Sequence, residues 1–222
     1  WDIERDALLA MLENWLAFEK ERAEEGLLPA QLEQAFGTFI PSDRRPAFGV
    51  RAGDYAFSFR GRIDRVDISR DGTRARVVDY KTGSLPDSMA RKTRTPLMSG
   101  ERIQLVVYRG ALSVLDEFKN VETVEGEYLH LQPKDGRIVP CGFSDAELQR
   151  AAEALPDILR ILGDGINGGA FFIRTSGLVR PSGHCDYCDY LTICGKDRMR
   201  REQQKASDPA VLRFLQLVEP LP

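Results

Sequence analysis

A chain of 222 residues, 42% of them hydrophobic, carries enough apolar material for one core with a small satellite. Its 31 basic against 34 acidic residues leave a net charge of -3, which excludes a uniformly basic nucleic-acid coat but allows a local positive groove. No run approaches the roughly 18 apolar residues of a membrane span and no export pattern opens the chain, so the four cysteines read as thiols or metal ligands rather than disulfides.

Residues 2 to about 25 place Ile3, Leu8, Leu9, Leu12, Trp15, Leu16 and Phe18 at helical spacing among charges, which predicts an amphipathic helix stopped near Gly26. Pro29 and "QLEQAFG" predict a short strand, and "IPSDRRPAFG" a loop. From Tyr55 to Ile68 the text alternates in β formers, "SRDGTR" offers an Asp-Gly turn, and "ARVVDY" returns as the second arm of a hairpin. Residues 84–100, with Pro86, Pro96 and the basic Arg91, Lys92 and Arg94, predict a loop or lid. "ERIQLVVYRGALSVLDEF" predicts a helix with Leu105, Tyr108, Leu112 and Leu115 on one face. "VETVEGEYLHLQ" and "GRIVPC" predict a second strand pair. "SDAELQRAAEALPDILRILGDG" reads as a helix capped by Ser144 with Glu147 three residues on. The glycines of "GDGINGGA" follow that helix instead of opening one, so they read as termination, not a phosphate cradle. From Gly177 the tail is rich in Gly, Pro and Cys, before a last short helix around 209–218. Trp-Asp-Ile in place of a Met start, and the closing Glu-Pro-Leu-Pro, suggest a piece of a longer polypeptide.

The hairpin carries the chemistry. With Asp71 and Gly72 as a two-residue turn, Asp64 falls opposite Asp79, Val66 opposite Val77 and Ile68 opposite Ala75 on one face, while Asp67 meets Arg76 on the other. Opposed side chains stand about 4.5–5.5 Å apart at Cβ, where like charges repel. A cation resolves the conflict, and Lys81, two residues beyond Asp79, extends the same face. Two carboxylates and an ammonium suit a hard divalent ion and phosphodiester hydrolysis. The alternative is a solvated acidic pair neutralised by Lys81.

"GRIDRVD" (61–67), "VVDYKTG" (77–83) and "QLVVY" (104–108), in that order, resemble the RecB-type nucleases of the PD-(D/E)XK superfamily, and in particular an AddB-like, iron-sulfur-containing helicase-nuclease subunit. The resemblance covers about residues 29–195. It implies an α/β, restriction-endonuclease-like core with a mixed central sheet flanked by helices and a cysteine-containing C-terminal tail. Asp64 and Asp79 would be metal ligands for Mg²⁺ or Mn²⁺, with the Tyr80 carbonyl as a further one. Lys81 would be the catalytic lysine, and Gln104 and Tyr108 would line the site. Tyr108 can equally be read as helix packing, and Glu33, matching a glutamate at the first strand, equally as a surface residue. A histidine on the first helix belongs to the pattern; neither His130 nor His184 stands there, and it is expected upstream of Trp1, so that the fragment alone would bind metal weakly.

Cys185, Cys188 and Cys194 show C-x₂-C-x₅-C spacing, and thiolates suit iron-sulfur or zinc. In the family resembled, three such cysteines join one far upstream around a [4Fe-4S] cluster. Cys141 reads as a packed residue, and the fourth ligand is expected before residue 1, leaving the cluster incomplete in this fragment. A zinc site using His184 and a redox Cys-x-x-Cys are the alternatives. The implied domains are an N-terminal helix over 1–28, a nuclease core over 29–176 and a cysteine-rich tail over 177–222. The implied function is metal-dependent DNA exonuclease or endonuclease action in double-strand-break repair and recombination, in the bacterial cytoplasm, with DNA and a helicase subunit or helicase domain as partners and no membrane. Arg44 and Arg45, Arg91 to Arg94, and Lys196 to Arg201 are candidate contacts to the DNA backbone, the 84–100 loop foremost. The rival readings are a CRISPR adaptation nuclease of the same fold, a catalytically inactive DNA-end-binding or scaffold module, and a redox protein using Cys185 and Cys188.

Overall fold

The structure is a computed structural model and describes residues 2–40, 42–82, 97, 100, 102–132, 136–173, 185 and 188–218. It divides into two units, residues 1–156 and 157–222. The expected boundary at 176/177 and most of the expected 84–100 loop, including Arg91, Lys92 and Arg94, lie outside the described residues, as does His184.

In the first unit, helix α1 (Asp2–Arg22) runs into a short 3-10 turn (Ala23–Glu25) and stops at Gly26, whose φ of 78° is open to glycine without strain. Strand β1 (Leu27–Phe36) follows. Two small hairpins come next: β2 (Phe39–Ile40) with β3 (Asp43–Arg44), and β4 (Phe48–Ala52) with β5 (Tyr55–Phe59). The expected loop over 40–49 thus contains strand structure, and the single alternating strand expected over 55–68 is broken at Arg60. β5 pairs back onto β4, and β6 (Gly61–Ser69) joins the main sheet.

That sheet has the order β1-β6-β7-β8-β9, with β7 (Arg74–Thr82), β8 (Thr123–Gln132) and β9 (Arg137–Phe143). β7 and β8 are parallel and the other pairs antiparallel, so the sheet is mixed. A parallel pair needs a crossover. Helix α2 (Gln104–Leu112) lies in the connection, on one face, and its Leu105 with Leu148 of α3 (Asp145–Asn167) closes on Gly126 of β8. A Cβ at Gly126 would stand 3.0 Å from Leu148 Cδ1 and 3.3 Å from Leu105 Cβ. The side chains of Ile63, Val66, Val77, Leu105, Tyr128 and Leu148 are fully buried around this layer. Helix α3 opens with the predicted capping box: Ser144 N–H donates to Glu147 Oε2 (2.9 Å) and Glu147 N–H to Ser144 Oγ (3.4 Å).

The opposite face of the sheet is covered by α1, and its filling is ionic. Arg65 donates to both carboxylate oxygens of Asp67 (2.5 and 3.0 Å), to both of Glu19 (2.6 and 2.8 Å) and to the Tyr80 hydroxyl (3.2 Å). Arg22 bridges Asp67 (3.6 Å) and Glu127, while Arg76 meets Glu25 (2.6 Å) and Glu125 (3.0 Å). Arg22, Arg65 and Asp67 are buried. Burial pulls the Arg65 pKa down, but hydrogen bonds to Glu19, Asp67 and Tyr80 outweigh it and the guanidinium ends raised. The helix turns this charged side inward, so Leu8, Leu9, Leu12 and Leu16 of the predicted apolar face are exposed.

From Arg65 to the turn the β6–β7 hairpin keeps the predicted register, Arg65 opposite Val78, Val66 opposite Val77, Asp67 opposite Arg76 and Ile68 opposite Ala75, but the ladder ends there and the expected Asp64–Asp79 pair is not part of it. The turn differs from the expected two residues. β6 ends at Ser69 and β7 begins at Arg74, because the Ser69 hydroxyl takes the Arg74 N–H (3.0 Å) and Gly72, at φ 76°, donates to Ser69 O (2.9 Å). A wider loop centred on the same Asp71-Gly72 leaves the pairing unchanged. Asp71 Oδ1 accepts from Ser69 Oγ (2.6 Å), Thr73 Oγ1 (2.9 Å) and Thr73 N–H (3.1 Å), and these bonds, that of Ser69 first, hold its pKa at about 2.

The second unit holds the C-terminal part of α3, then α4 (Leu191–Cys194), α5 (Arg198–Lys205) and α6 (Pro209–Val218). Phe172 meets Phe214 edge-on at 5.5 Å, and Arg213 lies 3.8 Å from Asp164. No helix among the described residues is long and apolar enough to cross a membrane.

Candidate active site

Within the paired part of the hairpin, Val66 and Ile68 of β6 and the odd positions of β7 share the sheet face on which α2 packs. One step beyond the Arg65–Val78 pair, Asp64 Oδ2 accepts the Tyr80 N–H at 2.9 Å, which anchors that carboxylate against β7 beside Asp79. Asp79 is 2% exposed. Its Oδ2 lies 2.5 Å from Lys81 Nζ, and its Oδ1 accepts from the Tyr108 hydroxyl at 3.3 Å. Lys81 Nζ also donates to Gln104 Oε1 at 2.9 Å. Four residues from two segments, Asp79, Lys81, Gln104 and Tyr108, are therefore linked on one face, and Asp64 is held against the same strand.

The helix contributes Gln104 and Tyr108 because the two stand four residues apart, about one turn, on its sheet-facing side. Tyr108 also packs edge-on against Phe36 of β1, with centroids 6.4 Å apart. It packs in the core and reaches Asp79 from there.

Electrostatically the site is short of positive charge. Burial pushes the Asp79 pKa up, Lys81 offsets part of this, and the neighbouring Asp64 charge adds to the rise. Burial, then the Asp79 and Asp64 charges, pushes the Tyr108 phenol up as well, keeping it protonated and a donor. The donor chemistry fits a hard divalent ion: two neighbouring carboxylates, one desolvated, on a face with oxygen groups. Among the described residues no three His, Cys, Asp or Glu side chains form a metal-holding cluster, so the pair would need backbone or solvent oxygens to complete a coordination sphere.

Sequence reasoning missed Tyr128. In the parallel β7–β8 register it lies beside Asp79, and its buried ring carries Lys81 Nζ 5.6 Å from its centroid and the Arg102 guanidinium 5.8 Å from it. Which strand neighbours β7 is not a local property of the sequence, so only the alternation of "VEGEYLHLQ" could have placed Tyr128 on a buried face. His130, two residues on, is buried beside Lys81 in the same register. Glu33 falls opposite Asp64 by the β1–β6 register, at φ 52°, and its exposed carboxylate lies 3.8 Å from Arg62.

Cys185, Cys188 and Cys194 are half-buried in the second unit, with Cys188 N–H donating to Cys185 O at 3.4 Å, and none of the four cysteines forms a disulfide. Thiolates at this sequence spacing suit an iron-sulfur cluster, but among the described residues the three side chains do not gather into a metal-holding group. Cys141 is buried in β9, opposite Tyr128. A cavity of about 390 Å³ beside the end of α1, lined by Arg22, Arg76, Glu127 and Phe143 among others, contains none of the site residues.

A mixed five-stranded sheet flanked by helices, with two acids and a lysine at one end of its central hairpin, defines a restriction-endonuclease-like core. The chain belongs to the PD-(D/E)XK nuclease superfamily, which it matches over residues 2–195. It is 26% identical to a B-type subunit of an ATP-dependent helicase/deoxyribonuclease from Alkaliphilus metalliredigens, over 76% of this chain and 20% of that protein, so it spans about a fifth of the relative's length. A crystal structure of SSO0001 is similar at a TM-score of 0.36 and 14% identity, over 74% of this chain and 59% of that one.

Proposed function

We propose that the chain is the nuclease module of an AddB-like helicase-nuclease and hydrolyses DNA phosphodiester bonds with the help of a divalent ion held by Asp64 and Asp79. The observation that carries this reading is the linked set on one sheet face: Asp64 tied to β7 through Tyr80 N–H, and Asp79, Lys81, Gln104 and Tyr108 joined by hydrogen bonds and an ion pair. Asp64 and Asp79, with the Tyr80 carbonyl, would hold Mg²⁺ or Mn²⁺. When bound there, such an ion supplies Lewis-acid polarisation of the scissile phosphate and offsets negative charge in the transition state. Tyr108 fixes the rotamer of Asp79 by donating to Oδ1. Gln104 holds Lys81 Nζ forward, leaving an ammonium proton to orient the attacking water against the phosphate. Tyr128 supports the same ammonium from beneath.

By the same reading Cys185, Cys188 and Cys194 give three thiolates to a [4Fe-4S] cluster in the full protein, with a structural role. The substrate is DNA in double-strand-break repair and recombination in the bacterial cytoplasm, and the partner is the helicase part of the same assembly. The domain limits of 28/29 and 176/177 belong to this reading too.

The test is an assay on linear single- and double-stranded DNA, with and without Mg²⁺ or Mn²⁺, comparing the wild type with Asp79→Ala. Ion-dependent cleavage lost in Asp79→Ala, with DNA affinity retained, supports the enzyme. Cleavage that survives Asp79→Ala, or DNA binding with no cleavage under any ion, rejects it, the latter in favour of an inactive DNA-end-binding module.

A further inference from the structure

The β2–β3 hairpin leaves Phe39 with 63% of its surface exposed. The ring is not alone. The Arg60 guanidinium carbon sits 5.1 Å from its centroid, and Arg44 is its directly opposed partner across β2–β3, about 4.5–5.5 Å away at Cβ. Both arginines are exposed, and among the described residues neither meets a carboxylate. Arg45, next in sequence, differs: it is held by Asp43 (2.7 Å) and Glu117 (2.8 Å) and is electrically spent.

The placement is built into the backbone. Gly37, at φ 68°, lies so close to Arg60 that a Cβ there would stand 2.6 Å from Arg60 Cβ and 2.9 Å from its Cα. A side chain at position 37 would push the hairpin off Arg60 and part the ring from its cation. Gly37 N–H donates to Pro46 O (2.8 Å) and Arg45 N–H to Thr38 O (3.2 Å), which closes the base of the hairpin.

Arg60 immediately precedes β6. Asp64 is four residues on, about 13 Å at strand spacing, and Arg62, which pairs with Glu33 at 3.8 Å, lies between them in sequence. An exposed aromatic ring with one unneutralised guanidinium over it and a second on its cross-strand neighbour, about 13 Å along the chain from a site read as phosphodiester-cleaving, has the chemistry of a path for an unpaired strand. Bases stack on the ring while the cations meet phosphates.

We propose that Phe39, Arg44 and Arg60 form a stacking platform for single-stranded DNA that feeds the strand toward Asp64 and Asp79. The inference deepens the nuclease reading and rests on it for the kind of strand engaged. Duplex DNA offers no free base face to the ring, so the platform discriminates between the two.

The experiment measures binding of the 222-residue chain, in EDTA, to a labelled oligothymidine and to a duplex closed by hairpins at both ends, by fluorescence anisotropy. Phe39→Ala is expected to weaken oligothymidine binding roughly 5- to 100-fold and to leave duplex binding within about twofold. Arg44→Gln with Arg60→Gln is expected to lower the slope of log affinity against log salt on the single strand by about 1.4. Both sites are at the surface, and unchanged circular dichroism and melting temperature confirm folding. Single-strand affinity within twofold of wild type for Phe39→Ala, equal losses on both substrates, or no wild-type binding to oligothymidine overturns the platform. The assay needs no turnover. Loss of single-strand binding in a protein that cleaves nothing with Mg²⁺ or Mn²⁺ leaves the platform and removes the nuclease reading; cleavage with no effect of Phe39→Ala does the reverse.

Discussion

Replacing Arg65 with methionine isolates the charge network under α1. Methionine keeps most of the arginine stem's volume, so the cavity term is small and the change is chiefly electrostatic. The guanidinium, 2% exposed, gives two hydrogen bonds to Asp67, two to Glu19 and one to Tyr80. Glu19, with 17% of its side chain exposed, can turn toward water, but Asp67 is fully buried and among the described residues keeps only Arg22, at 3.6 Å. Removing one partner of a buried ion pair costs about 3–5 kcal/mol. For a protein of this size that corresponds to a fall of roughly 6–20 °C in Tm. Urea denaturation followed by circular dichroism reads the change directly, with the m-value as a check that the unfolded state is unaltered. Asp67→Asn in the Arg65→Met background should recover a large share of the loss, because the stranded charge is gone. A single-variant cost below about 1 kcal/mol would show that water or rearrangement supplies what Arg65 supplies, and would refute the argument.

Lys81→Met is expected to cut kcat for DNA cleavage by about 10²–10⁴-fold while leaving oligonucleotide affinity within a few-fold, measured by single-turnover kinetics and anisotropy; equal losses in both would assign Lys81 to binding alone. Gly110→Ala places a methyl 2.2 Å from Phe48 Cζ, so the roughly 1 kcal/mol gained in helix propensity is outweighed by overpacking of about 1–3 kcal/mol; chemical melts should show a net loss that Phe48→Leu relieves. Asp71, with its pKa lowered from 3.8 to about 2, contributes stability above its ordinary value that disappears as pH falls through the folded one. The difference in urea midpoint between wild type and Asp71→Ala should therefore be full at about pH 5 and close as pH approaches about 2, and a gap unchanged across that range contradicts the assignment.

The hairpin that carries the site was legible because its information is local. Alternating apolar residues and one Asp-Gly centre set which positions face each other, and widening the loop by one residue on each side leaves that centre in place. The two small hairpins were hidden by their brevity and by prolines at 41 and 46, which punctuate like a loop. Tyr128 was hidden for another reason: its role depends on β8 lying parallel beside β7, a long-range choice with no trace in nearby residues. The buried state of Arg65 and Asp67 was equally unreadable. Their alternation marks a second, polar face without saying what covers it, and Glu19 and Arg22, arriving from α1, make that face an interior.

The charge order along β6 has a consequence for how the strand can be assembled. Asp64, Arg65 and Asp67 alternate sign along the strand, so sliding β6 by one residue against β7 to bring Arg65 to the place of Asp64 would set a guanidinium where the cation-seeking acid belongs and carry Asp67 away from Arg22. Such a chain would lose its fit on both surfaces at once. The hairpin thus works like a keyed connector, and inserting one residue into only one of its arms should be far more harmful than lengthening the tip evenly.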